Sequence, residues 1–254
     1  YKRSLNDYSD QLNLTKSNFL KRIRKDSGLS SKAMITVCNL QRKCLNLNGN
    51  KLPASAASLI KVPIAVALMQ KVSKENISLD TSVYVSRGNF TEDASKIRAR
   101  KRYPLKTLVG EMIDHSSNIA TNQLIDYLGR PYINKVLKDD GYKIIRVNYK
   151  LMGNRIRPKN PGKGRNRLTS NELTDMMVSI YNNEYMNEFC QFYQSINQSM
   201  FHLDVNACLL TTLIVPFIAL FVAMDFALSL TINQSINQSI NKSINQSINH
   251  STIQ

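Results

Sequence analysis

Histidine is scarce in this chain. His115, His202 and His250 are the only three, too few and too scattered for a histidine metal site. The four cysteines, Cys38, Cys44, Cys190 and Cys208, show no C-x-x-C spacing, which excludes the common metal and redox motifs. Cys38 and Cys44 could face each other across a short hairpin, but buried free thiols are the expectation, and the compartment stays open. Zinc-finger spacing, an RNP-like aromatic run and a glycine-rich phosphate loop are also missing, so no nucleic-acid partner is expected. No apolar run lies near Tyr1, so no secretory signal is visible. Acid is short too, and unevenly so. Residues 1–187 hold 33 of the 34 Lys and Arg but only 15 of the 18 Asp and Glu, giving +18 there and −2 beyond. Such a surface suits an anionic partner, such as acidic lipid headgroups or a cell-wall polymer, or it is simply a solvated basic face.

What the chain does contain is Ser58-Leu-Ile-Lys61, within Pro53-Ala-Ser-Ala-Ala-Ser-Leu-Ile-Lys-Val-Pro63. A serine alcohol is a weak nucleophile unless a base lies within hydrogen-bond reach. Residues three apart on a helix share a face, about 5–6 Å apart at Cβ. A lysine amine there can relay the Ser58 proton, and a helix start adds backbone N–H groups that favour a developing oxyanion. The tetrapeptide alone is not specific, because Ser239-Ile-Asn-Lys242 repeats its pattern in low-complexity sequence.

Context decides. Met34-Ile-Thr-Val-Cys-Asn-Leu40 and Lys43-Cys-Leu-Asn-Leu47 read as a strand pair leading to the Ser58 helix. Downstream, Ser116-Ser117-Asn118 opens a second helical stretch, with Asn122 one turn further on. A basic loop, Gly162-Lys-Gly-Arg165, then precedes a Thr169 or Ser170 cap and another amphipathic helix. This order resembles the class A β-lactamase and penicillin-binding serine hydrolase family over residues 17–187. Ser58 and Lys61 match its S-x-x-K. Ser116-Ser117-Asn118 matches its S-D-N with serine in the middle, and Asn122 matches an asparagine often kept just after it. The resemblance implies a nucleophile at Ser58, a proton acceptor at Lys61, a proton shuttle at Ser116, and a substrate amide held by Asn118 and Asn122. It implies a β-lactam or peptidoglycan-peptide substrate, no cofactor or metal, and work outside the cytoplasm. A removed leader, or a start part-way through a longer product, is then the expectation.

Two departures from the family follow. Members carry a lysine, a serine or threonine, and a glycine on a late strand that also supplies an oxyanion-hole N–H. No such motif follows residue 128. Loss of one oxyanion donor is worth about 10²–10³ in rate. Class A enzymes also place a deacylating glutamate on a long loop after the S-D-N helix. Residues 141–171 hold nine Lys or Arg and no Asp or Glu, so no base is available there. Glu172 begins the next helix and reads as a solvated first-turn acid.

The expected fold is α+β and β-lactamase-like: a helical lobe plus a partial antiparallel sheet, with the C-terminal strands missing through truncation or a frame shift near residue 188. Residues 1–33 form an N-terminal helical segment, with a basic amphipathic helix at about 12–26. Residues 34–187 are the catalytic domain. Its strands lie at about 34–48, the Ser58 helix runs to about residue 73, and 78–104 is largely loop. Helices follow at about 105–114, 118–128, 131–139 and 170–183. Residues 188–204 are a linker. Residues 205–230 are a candidate transmembrane helix, since 205–224 lacks any charge and about 20 residues span a bilayer. Residues 231–254 repeat Ser-Ile-Asn-Gln, with isoleucine at 232, 236, 240, 244 and 248. A four-base DNA repeat read in triplets generates that pattern, and so polar a repeat buries too little to order itself.

Overall fold

The computed structural model describes residues 13–16, 18–92, 96–182, 184 and 185. The expected linker, apolar segment and repeat, and the place of any late strands, lie outside the described residues. No described helix is long and apolar enough to cross a membrane.

A small sheet comes first. Strand β1 (Asn13–Lys16) runs parallel to β3 (Lys43–Leu47), which pairs antiparallel with β2 (Ile35–Cys38). The order is β1-β3-β2. Between β1 and β2 lies α1 (Asn18–Asp26), whose Leu20 is buried. The single basic helix expected over 12–26 is therefore a strand followed by a shorter helix. A four-residue strand stabilised by a partner 30 residues away leaves no mark in local periodicity. The thiols also differ from expectation. Cys38 and Cys44 stand directly opposite in the hairpin register, Cα atoms 4.0 Å apart, and are joined as a disulfide.

The hairpin leads to a 3₁₀ turn at Ala57–Ile60 and then α2 (Lys61–Lys74). Every residue of 61–69 is buried, because this helix lies against α3 (Leu105–Asp114), α4 (Asn118–Leu128) and α5 (Arg130–Asp139). Pro63 sits in the first turn of α2, where a missing N–H breaks no helical bond. Ile60, Ile64, Val66 and Leu68 are fully buried, each worth about 1.5–3 kcal/mol of apolar transfer. Two features of 78–104 escaped the sequence. Strands β4 (Ser82–Tyr84) and β5 (Arg102–Pro104) pair across it.

Helix α4 begins at a Ser117 cap, whose hydroxyl accepts from the Ala120 N–H at 3.2 Å. It ends at Gly129, whose φ of +76° is open to glycine at no steric cost. Helix α6 (Ser170–Tyr181) is capped by Thr169 and packs on β2. Gly49 permits that contact, since a Cβ there would lie 2.0 Å from Asn171 Oδ1. Arg42, in the β2–β3 turn, clamps the same junction through Asp175 at 2.7 Å and Glu184 at 2.6 Å.

Candidate active site

The Ser58 turn feeds straight into α2, so Lys61 lies one turn beyond Ser58 and on the same face. Lys61 is only 3% exposed, although it carries an amine. Its Nζ lies 3.3 Å from Ser58 Oγ, 2.8 Å from Ser116 Oγ and 3.1 Å from Asn118 Oδ1, and it donates to the Ser116 carbonyl. Ser116 Oγ donates to Ser58 Oγ at 3.0 Å. Ser58, Lys61 and Ser116 thus close a triangle of proton carriers, with Asn118 on its flank.

Two residues that shape the triangle hold left-handed backbone: Ala57 (φ +43°) just before Ser58, and Ser116 itself (φ +54°). Such conformations cost of order 1–3 kcal/mol in non-glycine residues and gather at functional sites. At 116 the turn swings the serine out of α4's own axis and toward α2. The Ser117 cap and the Thr121 hydroxyl, which donates to the Ser117 carbonyl at 2.6 Å, fix that turn from behind.

The structure brings Ser58, Lys61, Ser116 and Asn118 together. Asn122 sits apart from them, fully buried, with both ends of its amide on the backbone of one residue. Its Nδ2 donates to the Leu151 carbonyl at 2.9 Å, and its Oδ1 accepts from the Leu151 N–H at 2.7 Å. Asn122 therefore holds the site's wall in place. Next to it, Asn118 Nδ2 reaches the Met152 carbonyl at 3.5 Å.

The loop between α5 and α6 folds back on itself through bridges between Arg146 and Arg167 and between Tyr149 and Gly162. Asn166 staples it, accepting from the Asn148 and Tyr149 N–H groups at 2.8 Å each. Glu172 is not the solvated first-turn acid expected of it. Its carboxylate accepts from the backbone N–H groups of Lys143, Ile144 and Ile145 at 2.8–3.1 Å. Nothing in the sequence marks that role, nor the Met152 carbonyl, nor the burial of Lys150 beside Asp126 and Asn89. Among the described residues no cluster of three or more His, Cys, Asp or Glu side chains is placed to hold a metal.

A buried lysine bonded to a helix-start serine and to a second serine is the constellation of a β-lactamase-type serine hydrolase. The profile of the Beta-lactamase enzyme family matches residues 17–201, nearly three quarters of the chain. The chain belongs to that family. Solved structures agree on the fold. A β-lactamase from Sphaerobacter thermophilus DSM 20745 is 20% identical, with a TM-score of 0.55 over 64% of this chain and 62% of that one. TLA-1 extended-spectrum β-lactamase is 18% identical, with a TM-score of 0.58 over 78% of this chain and 71% of that one. A mutant of PBP-A, solved as an acyl-enzyme complex with penicillin G, is 23% identical, with a TM-score of 0.56 over 77% and 69%. No curated protein sequence matches the chain.

Proposed function

We propose that this chain accepts an acyl group at Ser58 from a β-lactam or a peptidoglycan peptide, and releases it slowly. The observation that carries this reading is the Lys61 triangle. With its amine neutral, Lys61 Nζ takes the Ser58 proton as Oγ attacks the substrate carbonyl. The carbonyl carbon–nitrogen bond then breaks. Lys61 returns the proton through Ser116 Oγ to the departing nitrogen, while Asn118 holds the substrate's side-chain amide. Slow release follows from the loop. Residues 141–171 supply no carboxylate, and Glu172 is engaged by three backbone N–H groups. The PBP-A mutant, a structural neighbour, forms an acyl-enzyme with penicillin G, the kind of adduct proposed at Ser58. Work outside the cytoplasm fits the family, and the Cys38–Cys44 disulfide suits an oxidising compartment.

A second reading rests on charge. Lys96, Arg98, Arg100, Lys101 and Arg102 are all exposed, five cations in seven residues, and suit an anionic polymer without any chemistry. Fluorescent penicillin separates the two. Covalent labelling of the intact chain that disappears in Ser58→Ala supports acyl transfer; absence of labelling in the unaltered chain sinks it and leaves the basic-domain reading. An anchored, sensor-like form requires membrane partition of the full chain that is lost when residues 205–230 are deleted.

A further inference from the structure

Past the Asp140 cap of α5, residues 141–169 bring nine cations and no carboxylate, so every acid that holds this stretch comes from outside it. Glu172 grips its first limb. Glu92 accepts from the N–H groups of Arg155 and Ile156, the latter at 3.0 Å. Between these grips lies Lys150, whose side chain is 3% exposed. An ammonium has three donors. Those of Lys150 reach Asp126 Oδ2 on α4 at 2.8 Å, Asn89 Oδ1 at 2.7 Å and the Lys159 carbonyl at 3.0 Å. Asn89 is itself oriented, because its Nδ2 donates to Asp126 Oδ2 at 2.8 Å and to Gln123 Oε1 at 2.9 Å. One nitrogen thus joins three segments: α4, the turn at Arg87–Asn89 and the returning limb of the loop.

The residues that follow Lys150 run directly to the chemistry. Leu151 lies in the two-ended grip of Asn122, and the Met152 carbonyl accepts from Asn118. Asn118 in turn accepts from Lys61 Nζ. We propose that Lys150 is a positioning residue. Gripped by Asp126 and Asn89, it fixes the loop so that Met152 sets the Asn118 amide and Asn118 sets the Lys61 amine. The catalytic half of this inference rests on the acyl-transfer reading, whereas the mechanical half rests on the loop geometry alone.

The test uses the full chain, unaltered and as Lys150→Met and Asp126→Asn. Hydrogen exchange at the amides of 151–156 reads the loop, and stopped-flow labelling by fluorescent penicillin reads Ser58. Lys150→Met should speed exchange there by about tenfold or more, a local opening rather than global unfolding. It should slow the maximal acylation rate by about 10–100-fold, as expected for a misplaced catalytic group. The penicillin concentration at half-saturation should change far less. Asp126→Asn should shift both in the same direction by a smaller factor. Unchanged exchange in the folded variant overturns the proposal, as does faster exchange with unchanged acylation. If Lys150→Met does not fold, the same two criteria apply to Asp126→Asn, whose parent side chain is 40% exposed. If penicillin never labels the unaltered chain, the acyl-transfer reading falls, and exchange alone then judges the grip of Lys150 on the loop.

Discussion

Helix α2 and the loop at 141–169 meet at Asn118, one through Lys61 and the other through Met152, and they are built by opposite means. Helix α2 is held by apolar burial along the eight consecutive residues 62–69, a non-directional force spread over three neighbouring helices. The loop buries Tyr142, Ile145, Val147 and Leu168 where its limbs join the core, and is otherwise held by point contacts: three carboxylates from outside it, and the amides of Asn122, Asn134 and Asn166. Lys61, the proposed base, belongs to the first kind of structure and the wall beside it to the second. A defect in the apolar packing of α2 should therefore lower the stability of the whole fold, and a defect in the loop's point contacts should detune the site.

The sharpest way to probe the comparison is at Lys61. Lys61→Met keeps the apolar stem and removes the amine, so penicillin labelling of Ser58 should slow by about 10²–10⁴ with the helix content intact by circular dichroism. A variant that labels at the normal rate would remove Lys61 from the mechanism. In the packed region, Leu68→Ala should lower unfolding stability by about 2–5 kcal/mol in a denaturant titration. Loss of the Cys38–Cys44 bond should cost about 2 kcal/mol in the same titration, given the short segment it closes, and should leave labelling unaffected. Glu172→Gln keeps one acceptor oxygen for three backbone donors, so a loss of about 1 kcal/mol is expected, together with faster exchange at 143–145.

The smallest effect is a pH dependence. Backbone N–H groups, chiefly that of Arg155, then its own and that of Ile156, hold the Glu92 carboxyl below its ordinary value of 4.5, with help from the Arg155 charge. A carboxyl whose folded value is depressed stabilises the fold above its unfolded value, and that contribution disappears as pH falls through the folded one. The difference in thermal midpoint between the unaltered chain and Glu92→Gln should therefore shrink as pH drops below about 4.5. A difference that grows on acidification would contradict the assigned contacts.

The helices after residue 57 were legible because their apolar faces repeat, and α4 and α6 also begin at capping side chains, Ser117 and Thr169. The predicted starts at 105, 118 and 170 coincide with the observed ones, and Thr169 caps the last. That Ser58, Lys61, Ser116 and Asn118 come together was legible from motif spacing, since residues three apart share a helix face and Ser116 stands at a helix entry. What stayed hidden depends on distant partners. Strand β1 is made by Lys43–Leu47, and the β4–β5 pair bridges nearly twenty residues of irregular chain. Glu172 meets residues 27–29 positions before it, and Lys150 meets Asn89 across 61. No local pattern records such meetings. The thiols were misread for a related reason, since a disulfide needs an exact register and the turn around Arg42, at φ +60°, sets it.

Ala57 has a consequence for engineering. With φ at +43°, its backbone is one that glycine adopts without a steric penalty. Ala57→Gly would thus relieve strain in the folded state, while also freeing the peptide that aims Ser58. Selection for heat resistance and selection for turnover should pull this position in opposite directions, because a nucleophile on a slack hinge is a less accurate one. Laboratory evolution toward thermostability, run without a penicillin-binding screen, is the setting in which that conflict would surface first.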